Sequence, residues 1–349
     1  YWSGGRGYWF NQAGTAGNTL TDWSTYGLRV RESIAPWQDG TLALGLDVDS
    51  VSGEARFLPT NAAPSRFDSP AFRMLSPNAA LSHRFRWGES VVIPSAGVRF
   101  YEHSEFASRS APHAGVRLEH GTMSVYANYA RGVNYPGLDV AVFAQNVIPA
   151  LGNSWRRLAA EEVDHLELGA RVQPTEDTSL DVSIFEDRLS NRYVFIPPPP
   201  PPPQYTNRGG FTVRGMEASL QHAVHRDLSV FAGVTLLDRE PDSIPYAPDL
   251  SASAGVIYQF GDWRLSADVQ YLSEFQVLSR ARSSNAVNTQ RVGGFPLINA
   301  RLARALPAQW VRRGEVFVVL DNVLDRTYAY RPGYPMPGIA VYGGIVLGF

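Results

Sequence analysis

The chain has 349 residues, with 31 Lys and Arg against 33 Asp and Glu, a net charge of −2, and no cysteine. That balance argues against a nucleic-acid binder, which carries a basic excess or stripe. The missing cysteine excludes disulfide scaffolds, thiolate zinc sites, iron–sulfur clusters and cysteine nucleophiles, and no apolar run approaches the roughly 18 residues of a membrane helix.

In chain order, the dominant period is two. Leu42, Leu44, Leu46 and Val48 alternate with Thr41, Gly45, Asp47 and Asp49. Leu166, Leu168, Ala170 and Val172 alternate with His165, Glu167, Gly169 and Arg171; Leu180, Val182 and Ile184 continue the pattern. So do Met216, Ala218 and Leu220, then Leu265, Ala267, Val269 and Tyr271, then Ile298, Ala300 and Leu302. Alternation at this period predicts strands with one apolar and one polar face. About fifteen strands are expected, most long enough for the ~9–11 residues of a tilted membrane strand. No amphipathic helix separates them, which argues against parallel βαβ folds.

The connections fall into two classes. Short turns are expected at Pro36 to Gly40, Trp87 to Glu89, His120 to Gly121, Pro174 to Thr178, His225 to Asp227, Gly261 to Asp262 and Pro307 to Gly314. Long polar connections are expected at Ser50 to Pro70, His103 to Pro112, Gly132 to Ala160, Ile196 to Gly210, Asp238 to Asp249, Leu278 to Gly294 and Arg331 to Pro337. Short and long alternate, as in an outer-membrane barrel with short inner turns and long external loops. A soluble sandwich also alternates along its strands, but nothing in it requires loop length to alternate by end. Aromatic residues make up 12% of the chain, and many, such as Trp23, Trp37, Trp87, Trp263 and Trp310, sit near strand ends, where a headgroup region favours them.

No enzyme motif is present: there is no G-x-S-x-G, Walker loop or H-E-x-x-H. The seven histidines do not cluster; His222 and His225, with Asp227, read as a solvated turn rather than a metal site. Neither cofactor nor metal is expected. Pro197 to Pro203 is a run of seven prolines, a rod of about 22 Å in the polyproline II form. The best binding candidates are loop arginines and aromatics: Arg131, Tyr135, Trp155, Arg156, Arg157, Tyr193, Tyr205, Tyr246, Arg280, Arg282, Arg331 and Tyr334. Arginine offers a fork to carboxylates, and aromatic faces stack on planar ligands.

The last thirty residues carry the most specific signal. Asp321, Asn322, Val323, Leu324, Asp325 and Tyr328 precede a Pro/Gly loop, and a final alternating strand ends at Phe349. This resembles the C-terminal signature of TonB-dependent outer-membrane receptors, with Val323 where the family places Leu. Tyr126 to Gly132 resembles the strand rising into a large loop, Glu162 to Gly169 the strand returning from it, and Asn207 to Glu217 a further strand of the family. The resemblance implies an all-β antiparallel transmembrane barrel, of which residues 1–349 are the last fifteen or so strands of 22. Residues 1–19 are then an external loop or strand end, and 321–349 the signature and last strand. The plug that fills such barrels, with its TonB-binding segment, is not in this stretch. The implied function is uptake of a scarce ligand, an iron–siderophore complex first, then cobalamin or haem. The implied partners are TonB through the plug, lipopolysaccharide, and the barrel assembly machinery through the strand ending at Phe349. If Gly5 to Gln12 is one more strand, about sixteen could instead close as a passive porin; a surface adhesin is the third reading.

Overall fold

A computed structural model describes residues 1–9, 17–60, 63–142, 144, 149–196, 203–242, 244–278, 289–307, 309 and 313–348. Strands dominate. The chain begins with β1 (Trp2–Trp9), β2 (Asn18–Ile34), β3 (Gly40–Leu58), β4 (Ser65–Asp68), β5 (Phe72–His83), β6 (Phe85–Trp87) and β7 (Ser90–His103). It continues with β8 (Arg109–His120), β9 (Met123–Asn134), helix α1 (Leu138–Val142), β10 (Glu161–Thr175), β11 (Thr178–Ser190), β12 (Tyr193–Ile196) and β13 (Gln204–Asn207). Then come β14 (Phe211–His225), β15 (Leu228–Glu240), β16 (Leu250–Phe260), β17 (Trp263–Leu272), β18 (Phe275–Leu278), β19 (Thr289–Val292), β20 (Phe295–Ala305), β21 (Arg313–Asp321) and β22 (Ala340–Gly348). Eighteen strands belong to one sheet; β12–β13 and β18–β19 are separate two-stranded hairpins. Every register described is antiparallel. Among the described residues no helix is long and apolar enough to cross a membrane.

The contacts divide the chain into two units: residues 1–118, 127–166 and 187–211, and residues 119–126, 167–186 and 212–349. In the first, β1 pairs with β2, β2 with β3, β3 with β5 and β5 with β7. Of the stretch 1–19, expected as an external loop or strand end, Trp2–Trp9 is a strand paired with β2: Trp2 lies opposite Tyr26, and Trp9 opposite Thr19. Ser50 to Leu58, expected as loop, continues β3, because its β-branched and aromatic residues pair with those of β2 from Tyr26 to Asn18. The apolar row holds: Leu42, Leu44, Leu46 and Val48 lie opposite Leu81, Ala79, Pro77 and Leu75.

The second unit shows the same division more completely. Met216, Ala218 and Leu220 of β14 oppose Leu236, Val234 and Ala232 of β15. That row runs on through Ala252 and Ala254, then Tyr271 and Val269, then Ile298, Ala300 and Leu302, then Val318 and Val316. The other face carries Glu217, Thr235, Ser251, Ser253, Gln270, Asp268, Asn299 and Arg301. Among the described residues nothing covers the apolar row. Leu236, Val269, Val318 and Ile345 are all exposed, Ile345 at 67%. A contiguous apolar face of this extent is not left to water by a soluble fold.

The buried hydrophobic residues gather instead where long connections fold onto the polar face. Phe72 and Phe295 both stand in rows that continue as polar, Phe72 in that of Ser76 and Asn78 and Phe295 in that of Asn299 and Arg301. Each anchors a small core, described next.

Candidate ligand-binding surface

In the first unit the connection from β9 to β10 folds into α1 and two 3-10 turns, Pro149–Leu151 and Ser154–Arg157. Trp155 is fully buried. Its ring stacks on Phe72 at 5.7 Å and meets Phe106 edge-on at 6.1 Å. Val140, Ala141, Leu151 and Leu158 complete this core, and Tyr135, Tyr193 and Tyr205 pack against it. Tyr135 donates its hydroxyl to the Ala107 carbonyl at 2.9 Å. Arg156 lies over the Trp155 ring, 4.5 Å from its centre, and pairs with Glu105.

Asn207 clasps the hairpin β12–β13 to this connection. Its amide accepts from Ala159 N at 2.8 Å and donates to Ala159 O at 3.0 Å. Burial pushes the Tyr205 phenol up to about 12, and raises Tyr193 and Tyr135 too. A phenol raised in the folded state contributes stability that is intact below pH 10 and is lost as pH climbs towards 12. We expect this loop core to open over that window in a tyrosinate absorbance titration, and the opening to recede when Tyr205→Phe is made.

The sequence candidates therefore divide. Tyr135, Trp155, Arg156, Tyr193 and Tyr205 are brought together, but as a loop core: Trp155 has no free face for a ligand. Arg131 is held by Asp164, at 2.8 and 2.9 Å, with Glu162 at 3.5 Å. Arg157 is exposed and has no charged partner among the described residues.

In the second unit Tyr246 is exposed with φ +63°. Arg331 lies 5.4 Å from the Tyr334 ring centre. Arg280, Arg282, Trp310, Pro197 to Pro202 and Phe349 lie outside the described residues. The terminal signature is a loop clasp. Asn322 is buried with φ +50°, a backbone that asparagine tolerates better than most residues. Its Oδ1 accepts from Arg326 N at 2.9 Å, and its Nδ2 donates to the carbonyls of Arg326 (2.9 Å) and Pro337 (3.2 Å). Asp325 accepts from Ile339 N at 2.9 Å. Leu324 and Val323 are exposed. Replacing Asn322 with Ala leaves these backbone groups unpaired, at about 1–3 kcal/mol. Faster amide exchange over 322–339 is the expected result.

Sequence reasoning missed Phe295, Tyr330 and Arg326. Tyr328 packs 4.9 Å from Phe295, and Tyr330 meets both rings at 5.5 and 5.7 Å. The signal was available: Phe295 and Leu297 are bulky apolar residues in an otherwise polar row. Among the described residues no group of three or more side chains stands ready to hold a metal ion.

Comparison with known proteins agrees with this geometry. The structure is similar to a ferric enterobactin receptor (PfeA) mutant from Pseudomonas aeruginosa in complex with enterobactin, with a TM-score of 0.74 and 14% identity, covering 99% of this chain and 58% of that one. It is similar to the copper transporter OprC, with a TM-score of 0.72 and 14% identity over 95% and 58% of the two chains. It is also similar to the FrpB iron transporter from Neisseria meningitidis, with a TM-score of 0.71 and 14% identity over 94% and 55%. At such identity the likeness is one of fold, and the chain spans 55–58% of the length of these three proteins. No curated protein sequence matches. The family model described as "TonB dependent receptor-like, beta-barrel" matches residues 1–323, and the chain belongs to that family of antiparallel barrels.

Proposed function

We propose that this chain forms barrel wall and surface loops of an outer-membrane receptor that takes up a scarce ligand. The observation that carries the reading is the uncovered apolar row opposite a polar one, in register across β14 to β21. Such a face suits lipid, and the polar one suits a wet lumen. Family membership adds the energy source: force passed from the inner membrane through TonB to a plug, which admits the ligand. An iron–siderophore complex is the ligand we assign, with cobalamin and haem next. The solved relatives support metal or siderophore cargo: they are described as carrying copper, iron and ferric citrate, or as the ferric enterobactin receptor. Lipopolysaccharide phosphates would meet the remaining loop arginines. The barrel assembly machinery would read the strand that ends at Phe349.

The test is uptake of radiolabelled iron from ferric siderophores. The full-length protein is expressed in a Gram-negative strain that lacks its own receptors. Uptake that stops when TonB is deleted supports the reading. Solute flux that persists without TonB makes the protein a passive channel and overturns it.

A further inference from the structure

Arg304 stands in the apolar row of the second unit, at the short-turn end of β20. Its cross-strand neighbours are Trp263 of β17 and Val316 of β21, and Leu302 precedes it in the same row. A cation on a lipid-facing strand is tolerated near the interface and costly at the midplane. This one lies at the interface end: its neighbour Ala305 donates its amide to the carbonyl of Asp262, in the turn between β16 and β17, at 2.8 Å. The Arg304 guanidinium sits over the Trp263 ring, 5.4 Å from its centre. Phe260 stacks on Trp263 at 6.5 Å, and Tyr258 on Phe260 at 5.4 Å. Arg304 and the three rings are all exposed.

The charge is not neutralised. Among the described residues Arg304 has no carboxylate partner. Glu315, opposite Ala305, is on the polar face and is taken by Arg264 and Arg301. Arg214 makes the contrast. It stands in the apolar row at the long-loop end, opposite Asp238, and is held by Glu186 at 2.7 Å. A guanidinium held by its face on an indole keeps its N–H groups free, because they lie in its plane. Such a fork in a lipid-facing row fits a phosphate diester, and a headgroup of net negative charge neutralises it where a zwitterionic one does not.

We propose that Arg304, seated on Trp263, binds the phosphate of an anionic phospholipid in the leaflet at the short-turn end, in preference to a zwitterionic phospholipid. The proposal rests on the outer-membrane reading above. Arg304 supplies the charge, Trp263 fixes it, and Tyr258 and Phe260 continue the aromatic rank beside the headgroup.

The experiment is native mass spectrometry of the full-length protein, released from detergent with phosphatidylglycerol, phosphatidylethanolamine or lipid A. The parent is expected to retain phosphatidylglycerol about fivefold more tightly than phosphatidylethanolamine. Arg304→Gln is expected to abolish that preference. Arg304→Lys, which keeps charge without the fork, should fall between. Trp263→Leu should reduce the preference, while Arg264→Gln, one residue away on the polar face, leaves it unchanged. Gel mobility verifies folding first; should Arg304→Gln not fold, an undiminished preference in Trp263→Leu is the overturning result. Equal retention of both phospholipids by the parent, or an undiminished preference in Arg304→Gln, overturns the proposal and leaves the receptor reading standing. A loss in Arg304→Gln confined to lipid A assigns the phosphate to the opposite leaflet and overturns it too. If the parent neither retains lipid nor inserts into vesicles of the two phospholipids, the membrane reading itself fails and takes the proposal with it.

Discussion

Val318→Arg is expected to destabilise the folded protein in lipid by about 2–4 kcal/mol, the cost of a cation near the middle of a bilayer-facing strand. Val318 lies mid-strand in β21, opposite Leu302 on one side and Gly343 on the other, and its side chain is exposed. In water an exposed Val→Arg change is nearly neutral, so the size of the loss reports the solvent. The matched control is Gln270→Arg on the polar face, opposite Ser253 and Leu297 and near Asp268. There the new cation meets water and a carboxylate, and a change of less than about 0.5 kcal/mol is expected. Urea unfolding in lipid vesicles, followed by gel mobility, compares the two. Equal small effects would mean that the apolar row does not face lipid.

Trp155→Ala is expected to have the other large effect, and a local one. Removing a buried indole from a packed cluster costs about 3–5 kcal/mol. The loss falls on the loop core, where Phe72 and Phe106 lose their central partner and Arg156 loses the ring beneath it. Residues 138–158 should then become open to limited proteolysis and fast amide exchange while the strands stay protected. Trp155→Phe gives the contrast. The buried Trp155 Nε1 has no hydrogen-bond partner among the described residues, and an unpaired buried donor carries a penalty of about 1–3 kcal/mol. Phenylalanine removes that donor along with some volume, so its cost should be well under half that of alanine. If the two substitutions open the loop equally, the ring's packing is not what holds it.

The fold was largely legible because its main rule is local. Alternation placed Leu265, Ala267, Val269 and Tyr271 on one face of β17, and the register keeps them there. The short turns were legible for the same reason: Gly88, Gly121 and Gly261 each turn with φ between +52° and +59°. The N-terminal strand was harder. In Trp2–Trp9 three of eight residues are glycine, so no apolar row stands out, and only pairing with β2 reveals it. The loops were harder still. An arginine in a loop looks available from sequence, yet Arg131 is held by Asp164, 33 residues away. Trp155 looked like a stacking surface and is a core residue, because Phe72 reaches it from a strand more than eighty residues earlier. Long-range packing of this kind leaves no periodic trace. What it does leave is bulky residues in a polar row, as at Phe72 and Phe295.

The central claim is that alternate residues of these strands face lipid and water. These 349 residues contain no cysteine, so once any cysteine elsewhere in the full-length protein is replaced by serine the claim is directly measurable: Val269→Cys and Gln270→Cys are made separately in that background, in its membrane. Each is labelled with a fluorophore and challenged with lipid-borne and water-soluble quenchers. The lipid-borne quencher should silence the probe at 269 and spare that at 270, with the reverse for the soluble one. Equal quenching of both positions by the water-soluble agent would contradict the account and return the chain to a soluble β fold.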